Sequence, residues 1–121
     1  MFEKIAFIHY CTENIDRTLK FYSDVMGFKL LVQNDEWVEF AIGDQRLALH
    51  LVKLMPLMPE GSHPNGAMVW LYAKPIEQAI AHLEGNNIKF INKLEEFSYG
   101  KTATFTDPDG NLLGLYEPPE K

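Results

Sequence analysis

The stretch KIAFIHYCTENIDRTLKFYSDVMGFKL, residues 4–30, decides the fold. Its first part, 4–11, is rich in β-branched and aromatic residues and predicts a strand. Apolar residues then recur at helical spacing and predict a helix over 13–26, which Gly27 ends. Three further strands are predicted directly after it, at 28–33, 36–42 and 45–52, with turns at 34–35 and 43–44.

The same order of elements returns in the second half of the chain. A strand, a helix closed by Gly85 and further strands follow a proline-rich segment. Since neither half is large enough to bury its own sheet face, the two must cooperate. We therefore predict an α+β fold of two βαβββ modules, with curved mixed sheets around a shared cavity and the helices outside. The predicted single domain, 1–121, comprises module 1 (1–52), a linker (53–65) and module 2 (66–121). In module 2 the predicted elements are a strand at 66–73, a helix at 75–84 and strands at 88–91 (continuing irregularly to 97), 102–106 and 111–116.

Composition excludes several classes of protein. Apolar residues make up 46% of the 121 residues and charged residues 23%, which excludes a disordered or collagen-like chain. Seventeen acidic residues against 11 basic ones give a net charge of −6, which argues against partners such as nucleic acid or an anionic membrane. We expect a cytoplasmic protein, because the chain has no membrane-length apolar run and does not begin like a signal peptide. The chain has a single cysteine, Cys11, which excludes an internal disulfide and a cysteine cluster for zinc. Because no basic motif lies near Cys11 in the sequence to activate its thiol, we do not expect it to be a nucleophile.

Two motifs resemble a known family. The first is Asn14-Ile15-Asp16-Arg17 with Phe21-Tyr22 and residues 24–28, and the second is TDPDGN at 106–111 followed by LLGLYEP. Together they resemble the vicinal oxygen chelate superfamily, which includes glyoxalase I, bleomycin resistance proteins and extradiol dioxygenases. The resemblance implies a pair of βαβββ modules. It does not fix a reaction.

The resemblance also implies four inward positions for the ligands of a divalent metal ion. In this chain they fall on Phe7, His50, Ala67 and Gly114, of which only His50 has a coordinating side chain. We therefore expect no metal cofactor. The alternative is a displaced divalent-metal site in which His9 joins His50, since residues two apart on a strand share a face. A carboxylate would complete that set, with Glu39 and Glu117 as the candidates.

Strand alternation predicts which side chains line the cavity. The lining is apolar with a few polar groups, as in many small-molecule sites. Either Trp37 or Val38 faces inward, depending on the register, whereas Trp70 is expected in the core against the helix. Ala67 and Gly114 are expected to leave room. The residues predicted to contact a ligand are Phe7, His9, Trp37, His50, Val69 and Tyr116.

Two functions are compatible with these features. The first is a metal-independent protein that binds an apolar or aromatic small molecule, neutral or cationic because the chain is acidic. The alternative is a glyoxalase- or dioxygenase-like enzyme (lyase, isomerase or oxygenase), using either the displaced metal or acid–base chemistry by His50 with Tyr116 as proton donor. A domain that only dimerises is a third possibility, and we expect a homodimer in each case. His63 and His82 are expected in solvent, and the linker is a candidate flap.

Overall fold

The computed structural model describes residues 1–54 and 67–120 of the chain. The chain divides into two compact units, residues 1–62 and 63–121. Each unit has the order strand, helix, three strands, so the predicted α+β fold of two βαβββ modules is confirmed. Within the described residues, no helix has the length and apolar character needed to span a bilayer.

The first unit is a four-stranded mixed sheet with a helix on one face. The sheet order is β1-β4-β3-β2, with β1 parallel to β4 and the other pairs antiparallel. The helix begins after Asn14, whose side chain accepts a hydrogen bond from the backbone N–H of Arg17 at 3.1 Å. The elements are β1 (Ile8–Thr12), α1 (Ile15–Lys20, continued by a π-helical turn at Phe21–Val25), β2 (Lys29–Gln33), β3 (Trp37–Ile42) and β4 (Gln45–Leu51).

The core of this unit lies between the helix and one face of the sheet. Tyr22 from the helical segment is fully buried with strand residues such as Phe40 and Leu49. Because side chains alternate along a strand, the other face carries His9, Cys11, Trp37, Glu39 and His50. We call this face, opposite α1, the His9 face.

The second unit repeats the plan. Its sheet order is β5-β8-β7-β6, with β5 parallel to β8, and its helix packs on β7 and β8. The helix buries Ile76, Ile80 and Leu83 against strand residues such as Phe105 and Leu113. The elements are β5 (Val69–Tyr72), α2 (Ile76–Gly85), β6 (Asn92–Phe97), β7 (Gly100–Thr106) and β8 (Leu112–Glu117).

Several strand predictions are wrong at their ends, among them the fifth strand, which begins at Val69, and the seventh, which begins at Gly100. The first strand begins at Ile8, not at residue 4. Its register pairs Ile8 with Leu47, so residues 4 and 5 would lie beyond the start of β4 at Gln45. Residues 88–91 are not a strand, because the N–H of Ile88 bonds back to Leu83 at the end of α2. The single domain and the shared cavity stay predictions, and the linker falls mostly on 55–66, outside the described residues.

Candidate functional site

The His9 face is organised around His50, on the central strand β4. The register places Cys11 of β1 beside His50 on one side and Trp37 of β3 beside it on the other. His9 precedes Cys11 by two residues and so shares its face. Val38 is fully buried on the α1 side of the sheet. Of the two alternatives, Trp37 is therefore the residue that lies on the same face as His50.

Four predicted ligand contacts meet on this face as a cluster of rings. The ring of Phe7 meets Trp37 edge-on, with centroids 5.4 Å apart. Trp37 lies 6.0 Å from His9 and 5.9 Å from His50, and the two imidazoles are 6.1 Å apart. Such separations are those of interacting aromatic pairs. Phe7 is nevertheless 44% exposed, so the cluster presents apolar surface that residues 1–54 and 67–120 do not bury.

Glu39 holds Trp37 in place. One carboxylate oxygen accepts the indole N–H of Trp37 at 2.8 Å, and the other accepts from Arg46 at 2.9 Å. The Trp37 hydrogen bond, and then the Arg46 contacts, hold the pKa of Glu39 below its ordinary value. With both oxygens engaged, Glu39 acts as a positioning residue and is not the carboxylate of a displaced metal set.

Cys11 joins the two imidazoles, which sequence reasoning missed. Its Sγ lies 3.8 Å from Nε2 of His9, and one ligand atom from each of His9, Cys11 and His50 lies within 4.8 Å of the others. Burial raises the pKa of the Cys11 thiol. The sequence did indicate that His9 and Cys11 share a face, because they are two residues apart on a strand. Only the pairing of β1 with β4 shows that His50 is a neighbour of Cys11.

Strand β5 of the second sheet presents its side chains with the opposite parity to that expected, whereas Gly114 and Tyr116 of β8 share a face as expected. Trp70 pairs with Gly114, and Val69 pairs with the buried Leu113. Val69 therefore lies on the α2 side and is not on the face of Gly114 and Tyr116, so its predicted place in the lining is wrong. Trp70 is 47% exposed rather than core. We call this side of the second sheet the Trp70 face.

The predicted room at Gly114 is filled. A Cβ built on Gly114 would overlap Cε3 and Cζ3 of the Trp70 ring and lie 2.8 Å from its Cδ2. Gly114 therefore allows the indole to lie flat on the strand. Any larger side chain at this position would displace that ring.

The remaining two candidates have structural partners within the second unit. The hydroxyl of Tyr116 donates to the carbonyl oxygen of Tyr99 at 2.7 Å, which favours a positioning role over that of a proton donor. Glu117 is buried on the α2 side and accepts the backbone N–H of Ile76 at 3.0 Å, at the start of α2. The carboxylate of Glu117 therefore serves the start of α2 within its own unit.

Comparison with known proteins identifies the family. The profile of the Glyoxalase/Bleomycin resistance protein/Dioxygenase superfamily matches residues 4–115. The chain belongs to this superfamily. The glyoxalase-family protein of Enterococcus faecalis has a similar structure, with a TM-score of 0.79, 26% identity and coverage of 96% of this chain and 98% of that one.

Two relatives align with this chain over most of its length. Metallothiol transferase FosB of Staphylococcus saprophyticus is 26% identical, over 96% of this chain and 78% of the relative. The uncharacterized protein YaeR of Escherichia coli is 31% identical, over 80% of this chain and 82% of the relative.

The positions that the family resemblance assigns to the metal ligands do not fit a metal ion in this chain. Phe7, Ala67 and Gly114 offer no side-chain ligand, which leaves His50 by itself. At Gly114 the structure adds a steric reason, because the Trp70 ring occupies the place where a coordinating side chain would begin. Any metal chemistry must therefore use a different set of residues.

Proposed function

We propose that this superfamily member binds a small apolar or aromatic molecule on the His9 face, without the metal centre of the superfamily. The ring cluster of Phe7, His9, Trp37 and His50 carries the proposal. Partly exposed rings held in fixed orientation provide contact area at little loss of side-chain entropy. The two imidazoles supply the few polar groups that orient a bound molecule.

Charge favours a neutral or cationic ligand. The chain carries a net charge of −6, and the carboxylate of Glu39 accepts the indole N–H of Trp37. A cation over the face of Trp37 would gain from the ring quadrupole, about 0.5–2 kcal/mol depending on how far it is desolvated. An anionic ligand would lack that contribution.

An enzyme is the second candidate. A transferase, FosB, is among the relatives, and it supports this reading together with the two imidazoles that face each other on the His9 face. His50 would then be the acid–base group, since neutral imidazole accepts and donates protons near pH 7. Turnover that depends on His50 would favour this candidate over binding without turnover.

Thermal unfolding with a panel of neutral and cationic aromatic compounds tests the proposal, with chelator present throughout. A ligand at 100 times its Kd stabilises by about 2.7 kcal/mol, which raises Tm by about 10 °C in a chain of this size. Phe7→Ala should weaken binding about tenfold, because it removes roughly 1.4 kcal/mol of ring contact.

Phe97→Ala is the matched control. Phe97 has the same side chain and is 43% exposed, but it lies in β6 of the second unit. The proposal fails if no compound raises Tm in chelator, or if both variants weaken binding equally.

The homodimer is also a proposal, supported by the edge strand β2, on which Leu30, Leu31 and Val32 are each about 40% exposed. Sedimentation at micromolar concentration tests it, and a monomer would reject it. The cytoplasmic location stays a prediction.

A further inference from the structure

We propose that His9, Cys11 and His50 form a binding site for a zinc ion, in which only His50 coincides with a position that the resemblance assigns to the metal ligands of the superfamily. Two imidazole nitrogens and one thiolate sulfur are ligands that zinc prefers. The inference goes beyond the proposed function, because binding of an aromatic molecule on this face requires no metal.

The distances are close to those of a zinc site before any ion binds. Zn–N bonds of about 2.05 Å and a Zn–S bond of about 2.3 Å place the sulfur and nitrogen of a tetrahedral site about 3.6 Å apart. Sγ of Cys11 and Nε2 of His9 are 3.8 Å apart, and all three ligand atoms lie within 4.8 Å of one another. Small side-chain rotations are therefore sufficient to close the set around an ion.

The backbone that carries these ligands is regular sheet. Cys11 and His50 are register partners on the parallel strands β1 and β4, and His9 is two residues before Cys11 on the same face. Ligands on paired strands are positioned more precisely than ligands on loops, so little conformational entropy is lost when the ion binds.

The composition of the site predicts its selectivity. A thiolate and two imidazoles favour zinc over magnesium or calcium, which prefer oxygen ligands. On binding, the S–H bond of Cys11 breaks, its proton leaves to the buffer and a zinc–sulfur bond forms. Three protein ligands leave the fourth tetrahedral position for water or another small ligand.

The test uses the full chain, reduced and stripped of metal. Titration with Zn²⁺ against a chromophoric chelator should give one ion per chain, and Mg²⁺ should not compete. Co²⁺ in place of Zn²⁺ should give the near-ultraviolet charge-transfer band of a thiolate–cobalt bond. Cys11→Ser should abolish that band, and His9→Ala and His50→Ala should each weaken Zn²⁺ binding at least about tenfold.

His82→Ala is the matched control, because His82 is exposed on α2 in the second unit. It should leave the stoichiometry and the affinity unchanged. The site is rejected if Zn²⁺ does not bind stoichiometrically, or if the three ligand variants bind as tightly as the control.

A measurement on the unmodified chain covers the case in which a ligand variant does not fold. Saturating Zn²⁺ should slow alkylation of Cys11 by iodoacetamide at least tenfold, and Mg²⁺ should not. Unchanged alkylation would overturn the site. Because the aromatic-ligand experiment contains chelator, either proposal can fail while the other stands.

Discussion

Gly114→Ala offers a direct test of how the Trp70 face is built. The added methyl would overlap two ring carbons of Trp70 and lie 2.8 Å from a third, Cδ2, where carbon atoms normally approach to 3.5–4.0 Å. The ring must therefore move by about 1 Å or more. Trp70 is 47% exposed and can shift outward, but its backbone is fixed by the pairing of β5 with β8.

The size of the effect follows from two opposing contributions. Forcing extra volume into a packed contact costs about 1–3 kcal/mol. Replacing glycine by alanine in a strand recovers about 0.5–1 kcal/mol of backbone entropy. Gly114 does not have the positive φ that would add strain. We therefore expect a net loss of about 1–2 kcal/mol in the free energy of unfolding, or about 4–8 °C in Tm.

A double-mutant cycle isolates the contact. The wild type, Gly114→Ala, Trp70→Ala and the double variant are unfolded in urea and followed by circular dichroism. In the Trp70→Ala background the ring carbons that the methyl would overlap are absent, so it should stabilise by up to about 1 kcal/mol, which gives a coupling of about 2–3 kcal/mol. Gly85→Ala is the control, because a Cβ there meets nothing within 4 Å among the described residues. Equal costs of Gly114→Ala in both backgrounds would refute the contact.

Three further predictions concern polar groups with defined partners. Because the pKa of Glu39 is lowered in the folded protein, its charged form stabilises the fold above the unfolded pKa, and this stability is lost as pH falls through the folded pKa. Glu39→Gln should therefore lower the free energy of unfolding by about 1 kcal/mol at pH 7 and by much less at pH 3. Urea unfolding at both pH values measures this, and a loss independent of pH would contradict it. Glu117→Ala leaves the buried N–H of Ile76 unpaired and should lower the free energy of unfolding by about 1–3 kcal/mol. Glu117→Gln can still accept this hydrogen bond and should retain most of the stability in the same assay. Equal losses of stability in the two variants would show that the hydrogen bond is not the cause. Tyr116→Phe removes the hydrogen bond to Tyr99 and should lower stability by about 0.5–1 kcal/mol, an expectation that an unchanged midpoint in urea would reject.

The order of elements could be predicted from the sequence because local signals agree with the fold. Helical spacing, the Asn14 cap and Gly27 mark the first helix, and glycine turns separate the strands. The ends of strands were less accessible, since they depend on where a partner strand begins. Residues 4–7 have strand composition, but β4 begins only at Gln45, so in this register residues 4 and 5 have no residue of β4 to pair with.

The site was predictable only where alternation could be counted along one regular strand. That holds for His9 on β1 and for His50 on β4. It fails on β5, where apolar residues on both faces remove the period-two signal and the strand begins only at Val69. Counting from Ala67 then assigns the wrong face to Val69 and Trp70. Cys11 was missed for a different reason, because its proximity to His50 exists only through the pairing of two strands distant in sequence.

The proposed zinc site does not conflict with the lack of side-chain ligands at three of the four positions that the resemblance assigns to the metal. A ligand shifted by two residues along a strand stays on the same face, so His9 can serve the face on which Phe7 lies. The thiol of Cys11 lies beside His50 in the same sheet, so all three ligands of the proposed zinc site come from the first unit. On the Trp70 face the corresponding strand position is covered by an indole. Because all three ligands of the zinc site belong to one module, substitutions at Gly114 or Trp70 should alter stability without altering zinc stoichiometry.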